Sequence, residues 1–273
     1  MITEYIKHLT SIKGYSLHTA TAYRKDLHQF ASFINAHYKD ARWSTISKEM
    51  VEHYIMTLVS YGELPTTTNR KIAAISGLYR YLGTHGHTID NPAQYCSRRK
   101  ITETIPNTID TAQLSAAYEN AIGTAKVMLG LLITTGIRIG ELLAIRWEDI
   151  NLNDKTIIIK GKGNKERIVS VPERQLEEIG YAYPRQNPQD TLFHMSQYES
   201  RCLIYQALLP YCRAKQLSPH AIRHTFATEM AKAGENAPTI AKVLGHRNIK
   251  TTQHYIDNAQ MSTAHTCKII KLH

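Results

Sequence analysis

Apolar positions in the first ninety residues recur at spacings of three and four, the period of a helix with one buried face. In SLHTATAYRKDLHQFASFINAH, Ala20, Tyr23, Leu27, Phe30 and Ile34 form one stripe. Ser16 stands where an N-cap belongs, and Arg24, Lys25 and His28 fall largely outside the stripe. A second helix is predicted from Lys48 to Tyr61, ended by Gly62 and Pro65. A third, in TTTNRKIAAISGLYRYLGTHG, carries Ile72, Ile75, Leu78, Tyr79 and Leu82 on one face and stops at Gly83. Three or four such helices cannot bury their faces alone, so residues 1–90 are expected to form a compact helical bundle.

The period lapses between Asn91 and Asp110. NPAQYCSRRKITETIPNTID holds two prolines and the basic run Arg98, Arg99, Lys100, and residues 91–110 read as a linker. Residues 111–273 then read as a second, mixed domain. A helix is predicted over Thr111–Asn120, followed by the apolar AKVMLGLLITTG, which ends at Gly136. KTIIIK and ERIVSV are β-branched runs joined by GKGN, a hairpin with a glycine-rich turn. Helices dominate again from Gln197. SPHAIRHTFATEMAKAG has Ser218 as cap, Pro219 in the first turn and Gly234 as stop. A short helix through Ile240–Leu244 leads past Gly245 and His246 to a last one containing Tyr255. The fold class is therefore mainly α with a small antiparallel β-sheet.

Composition narrows the function. The 273 residues suit two domains, and 42% hydrophobic with 21% charged residues describes an ordinary globular chain. No apolar run reaches the roughly 18–20 residues of a membrane span, and the N-terminus lacks a signal-peptide core. Cys96, Cys202, Cys212 and Cys267 form no C-x-x-C pair. A disulfide scaffold and a Cys-based zinc module are therefore poor readings, and a cytoplasmic location is expected. The formal charge of +10 favours a polyanionic partner. The first hundred residues carry 13 basic and 7 acidic side chains, the remainder 20 and 16. The smaller domain is the more basic per residue, as suits a gripping role.

Taken singly, the residues with chemical potential have bland accounts. Arg138 in TGIRIGEL, with Glu141 three positions on, makes a structural ion pair. Lys162 in GKGNKER is a solvated turn lysine, although a hairpin tip can reach into a groove and deliver a proton. His220 and Arg223 share a helical face. His220 and His224 at i, i+4 imitate a zinc face but lack the Glu of H-E-x-x-H and an obvious third ligand. His246 closes a helix, and Tyr255 is one of 16 tyrosines.

Order and spacing change that picture. TGIRIGEL, GKGNKER, SPHAIRHTFAT, LGH and TTQHYI, in this order across Thr135–Ile256, resemble the tyrosine recombinase family. TNRKIAAISGLYRYL followed by NPA resembles its DNA-gripping, core-binding domain, so the likeness covers nearly the whole chain. Short Xer-type and simple integrase or resolvase members look most similar, and no room remains for an added arm-binding domain. The resemblance implies a helical core-binding domain followed by a mixed α/β catalytic domain. It implies that Tyr255 attacks the scissile phosphate, giving a 3′-phosphotyrosyl intermediate and a free 5′-hydroxyl. Arg138 and Arg223 then clamp the non-bridging oxygens, and His246 adds a hydrogen bond to them. His220 assists phenol deprotonation, and Lys162 is the general acid for the leaving oxygen. Lys165 competes with Lys162, and the spacing from Arg138 favours Lys162.

The resemblance further implies double-stranded DNA with paired sites as partner. Strand exchange would run through a Holliday junction in a homotetramer, or with a second recombinase, without metal or nucleotide cofactor. No phosphate-binding loop or tight carboxylate cluster is present in the sequence. Asn69, Arg70 and Lys71 open a helix and are expected to meet DNA phosphate, with Arg24, Lys25 and the run Arg98, Arg99, Lys100 as further contacts. Competing readings are a non-catalytic DNA-binding regulator and a type IB topoisomerase. A degraded relative should lack one of the six active-site positions, and all six are present. The topoisomerase shares the chemistry, but the domain order and the Xer-like strings favour recombination.

Overall fold

The computed structural model describes all residues except 88–89, 102–106, 162–164, 184–186, 215, 247–248, 250–251 and 258–273. Its chain divides into two compact units, Met1–Glu103 and Thr104–His273.

The first unit is built from α1 (Ile2–Ser11), α2 (Leu17–His37), α3 (Lys48–Ser60) and α4 (Pro65–Thr84). Ser16 caps α2 by accepting from the Thr19 N–H, and Ala20, Leu27, Phe30 and Ile34 are buried along it as their spacing predicts. Tyr23 is only half-buried, while Asp26, one position before Leu27, is buried instead. On α4, Ile72, Ile75, Leu78, Tyr79 and Leu82 face the same core. Pro65 starts that helix, because proline's missing N–H costs nothing at a position with no intrahelical acceptor. Short α1 adds Tyr5, Ile6 and Leu9.

The stretch read from the sequence as linker divides between the units. Asn91 caps a 3-10 turn at Pro92–Tyr95, which packs on α3 and α4 with Pro92, Ala93 and Cys96 buried. Ile109 is tied instead into the second unit: its N–H donates to Thr225 Oγ1 (2.8 Å), whose hydroxyl lies 3.1 Å from the Ile109 carbonyl. A turn of this length has no period to read, yet it buries apolar surface.

In the second unit α5 (Thr111–Asn120), α8 (Glu173–Ala182), α9 (Gln197–Leu208) and α10 (Pro219–Lys232) pack around α6 (Gly123–Thr135). Val127–Leu132 of α6 are all buried. Strands β1 (Ile150–Asn151), β2 (Thr156–Lys160) and β3 (Glu166–Ser170) form an antiparallel sheet in that order. The register pairs Ile157 with Val169 and Lys160 with Glu166. The expected hairpin is therefore β2–β3, and its turn carries Lys162, outside the described residues. Helix α8 escapes the sequence pattern because only Gln175, Leu176 and Ile179 are buried along it. The short α7 (Ile139–Leu142), α11 (Ala237–Leu244) and a helical segment at 252–257 complete the unit and position the site. Among the described residues, no helix is long and apolar enough to cross a membrane.

Candidate active site

The site begins where α6 ends. Gly136 closes that helix in the left-handed region (φ 59°), and a Cβ there would lie 2.4 Å from Phe226. The chain can therefore turn sharply and place Arg138 as the N-cap of α7. Glu141, at the third helical position, accepts from the Arg138 backbone N–H (2.9 Å) and from its Nη1 (2.8 Å). The bland Arg–Glu pair thus exists, but Glu141 holds a second guanidinium as well. Arg167 of β3 donates to it through Nη2 (2.7 Å) and Nη1 (3.2 Å).

Helix α10 starts at Ser218, whose hydroxyl accepts from the Ala221 N–H. One turn in, Arg223 is 4% exposed. Its Nη1 donates to the Gly136 carbonyl and its Nη2 to the Leu244 carbonyl, both at 2.7 Å. Arg138 donates to the same Leu244 oxygen (3.4 Å) and to that of Gly245 (3.3 Å), while Arg167 Nε donates to Val243 (2.8 Å). Three guanidiniums from three separate elements therefore meet the last carbonyls of α11. A helix C-terminus leaves carbonyls without intrahelical partners and carries partial negative charge, so it suits cations.

The LGH motif turns at Gly245, also left-handed (φ 67°), and His246 Nδ1 lies 2.9 Å from Thr252 Oγ1. The segment 252–257 then returns Tyr255 to a small core with Ala227, Ile240 and Leu244. Tyr255 is 4% exposed, and its Oη is 2.5 Å from His224 Nδ1. Arg138, Arg223, His246 and Tyr255 are thus gathered around the end of α11. His220 is exposed, one turn before His224, with the two rings 6.3 Å apart. Lys162 lies outside the described residues. Its competitor Lys165 is exposed, and its carbonyl accepts from the Gly161 N–H (2.8 Å) to close the hairpin.

Residues 107–261 match the phage integrase family, and residues 2–86 match its N-terminal SAM-like domain. The chain is 31% identical to tyrosine recombinase XerC of Herpetosiphon aurantiacus, over 93% of this chain and 89% of that protein. The chain belongs to the phage integrase family of tyrosine recombinases. Its fold is similar to the crystal structure of XerH site-specific recombinase bound to palindromic difH substrate in a post-cleavage complex. That likeness has a TM-score of 0.78 at 18% identity, over 99% of this chain and 85% of that one. A lambda integrase tetramer bound to a Holliday junction gives a TM-score of 0.74 at 14% identity, over 94% and 76%.

The recombinase site combines dense positive charge with neutral histidines. Burial, then the neighbouring Arg138, lowers the Arg223 pKa to about 10, so it stays charged at neutral pH. His246 is pushed down to about 4 by burial and by Arg223 and Arg138, which leaves its imidazole neutral. His220 remains exposed, but partial desolvation of its ring, followed by the charge of Arg223, also lowers its pKa. Burial raises the Tyr255 phenol, against the opposing pull of Arg223, and so keeps the nucleophile candidate protonated at rest. Burial favours the neutral form of Glu141 too. Hydrogen bonds from the Arg167 side chain and the Arg138 backbone outweigh it and hold the carboxyl below its usual value.

In the recombinase's first unit, the residues expected to meet DNA fall into two groups. Arg24, Lys25, Arg98 and Lys100 are exposed, and Arg70, paired to Asp26 Oδ2 at 2.5 Å, keeps a 40% exposed side chain. Asn69 and Arg99 are instead joined to each other. The Asn69 amide donates to the Arg99 carbonyl and accepts from its N–H, both at 2.9 Å, and Arg99 Nη1 donates to the Glu63 carbonyl (2.6 Å). Lys71 is 5% exposed and paired with Gln29 and Asp26. Arg167, Thr252 and, beyond the zinc comparison, His224 of the recombinase have no role predicted from the sequence. Arg167 had a signal: in ERIVSV it shares the inward strand face with Val169 and Val171, a position where an unpaired charge is costly. Among the described residues, no third metal-ligating side chain joins His220 and His224.

Proposed function

We propose that this recombinase exchanges strands between paired sites on double-stranded DNA, with Tyr255 as nucleophile. The observation that carries the reading is the shared Leu244 carbonyl, on which Arg138 and Arg223 converge beside the core that holds Tyr255. Each guanidinium has five N–H donors, and the carbonyl bonds leave others for the non-bridging oxygens of a phosphate. Attack by the Tyr255 oxygen forms a 3′-phosphotyrosyl bond as the bond to the 5′-oxygen breaks, and that oxygen takes a proton from Lys162. Charge on the transition state is met by Arg138 and Arg223, with His246 as a further donor, so the step needs neither metal nor nucleotide cofactor. Reattack by a 5′-hydroxyl from the partner duplex would give a Holliday junction. A tetramer is proposed for this step, by likeness to the lambda integrase assembly on such a junction. The cytoplasm is the proposed compartment.

Capture on a nicked suicide substrate tests this reading. The nick lets the short 5′-hydroxyl fragment diffuse away, so the protein should remain covalently attached through the 3′-phosphate. Tyr255→Phe is expected to abolish capture while retaining DNA binding. Undiminished capture in that variant assigns the nucleophile elsewhere. Dependence of strand exchange on two paired sites separates recombination from monomeric relaxation of supercoils.

A further inference from the structure

The 2.5 Å contact between Tyr255 Oη and His224 Nδ1 puts a nitrogen base directly on the reacting atom of the proposed mechanism. His220, to which the family resemblance assigns phenol deprotonation, is exposed one turn away on the same helix. We propose that His224 is the immediate proton acceptor of the Tyr255 phenol. The inference rests on Tyr255 being the nucleophile.

The contact can run in either direction with the His224 tautomer, and the proposal requires the phenol to be the donor. Burial of Tyr255 favours the protonated phenol. His224 is itself held toward the neutral form by burial, with His220 and Arg223 on its own helix adding to the effect. Across from it lie Tyr255 and His246, and His246 too is neutral at pH 7. In the tautomer the proposal requires, the imidazole proton is on Nε2 and the phenol hydrogen points at an unprotonated Nδ1. In the reaction that hydrogen moves to Nδ1 as the tyrosyl oxygen bonds to phosphorus. The bond to the 5′-oxygen breaks, and the departing oxygen is protonated by Lys162. His224 finishes as imidazolium, and the same proton can return to the phenol when a 5′-hydroxyl reseals the strand. The charge formed on His224 is transient, and it lies next to Arg223, which is occupied with phosphate at that moment.

Single-turnover capture on the nicked substrate, followed against pH with the full chain, tests the assignment. A base must be neutral to act, so the wild-type rate should rise with pH through an apparent pKa below the ordinary histidine value and then level off. His224→Asn keeps a hydrogen-bonding group beside Oη but cannot take the proton. It should slow capture by about 100-fold and erase that limb, leaving a rate that climbs toward the tyrosine range. His220→Asn should lower the rate but keep the limb. A limb that survives in His224→Asn and vanishes in His220→Asn overturns the proposal. Undiminished capture by Tyr255→Phe removes the nucleophile reading and this inference together. Loss of capture in Tyr255→Phe with an unchanged pH limb in His224→Asn removes this inference alone. If His224→Asn fails to fold, ¹⁵N NMR on the unaltered protein decides. One histidine should appear as the Nε2–H tautomer with an Nδ1 shift that responds to Tyr255→Phe, and an Nδ1–H tautomer there overturns the proposal.

Discussion

At the residue scale, Glu141 is, among the described residues, the single carboxylate to which Arg138 and Arg167 are both ion-paired, and it also takes the Arg138 backbone N–H. Arg223 lies next to this pair with no carboxylate of its own among the described residues, its bonds going to carbonyls. The cluster is therefore left with surplus positive charge, the condition a phosphate would meet. Replacing Glu141 by Gln keeps the shape and removes the charge. Taking one partner from a largely buried pair is strongly destabilising, so urea unfolding of Glu141→Gln should show a loss of about 3 kcal/mol at neutral pH. The pH dependence has a defined sign. Because the folded carboxyl is held below its ordinary value, its contribution is complete above the ordinary glutamate range and is lost as pH falls through the folded value. The stability gap between wild type and Glu141→Gln should therefore be flat near pH 7 and close in acid. A gap that is constant down to low pH would show that the carboxylate charge is not what holds the two arginines.

At the element scale, the end of α11 acts as the anchor on which α7, α10 and β3 are aligned through their arginines. Gly245 makes this possible, since its φ of 67° suits glycine and a Cβ there would sit 2.9 Å from Arg167 Nη1. Gly245→Ala should cost about 1–2 kcal/mol in backbone strain and push Arg167 off Glu141. Covalent capture is expected to slow about 10-fold, since 1.4 kcal/mol is a factor of ten in rate, while gel-shift affinity stays close to wild type. Much of both units was legible from periodicity and caps. Ser16, Ser218, Gly136 and the β2–β3 hairpin stand where the sequence predicts them, because each is a local choice. Order and spacing, through the family resemblance, also singled out Arg138, Arg223, His246 and Tyr255, which lie near the end of α11 although up to 117 positions separate them. What escaped depends on contacts distant in sequence. The Arg167 bond to Val243 spans 76 positions and the Asn69 bond to Arg99 spans 30, and neither leaves a periodic trace. The His224 contact with Tyr255 escaped for the same reason, 31 positions apart.

At the scale of the whole molecule, a net charge of +10 predicts salt-sensitive DNA binding, but the structure divides the cations that can contribute. In the first unit a concavity of about 700 Å³ is lined by His18, Thr19, Lys25, Gln29 and Arg70, with Asp26 and Lys71 at its base. Lys25 is exposed there, while Lys71 is buried and spends its ammonium on Asp26 and Gln29. Burial raises the Asp26 pKa even against the opposing charges of Arg70 and Lys71, so this carboxylate depends on both partners to remain ionised. The two lysines should therefore fail differently when replaced by Ala. If Lys25 meets a phosphate, Lys25→Ala should reduce the slope of log K against log salt by about 0.9 and leave unfolding unchanged. Lys71→Ala should leave that slope intact and cost about 2 kcal/mol, because a buried carboxylate loses one of its two cations while Arg70 remains. Binding isotherms across a salt series, paired with urea unfolding of the same variants, measure both. A full unit of slope lost in Lys71→Ala with unchanged stability would place that ammonium on DNA and make the Asp26 pair a resting contact that the duplex replaces.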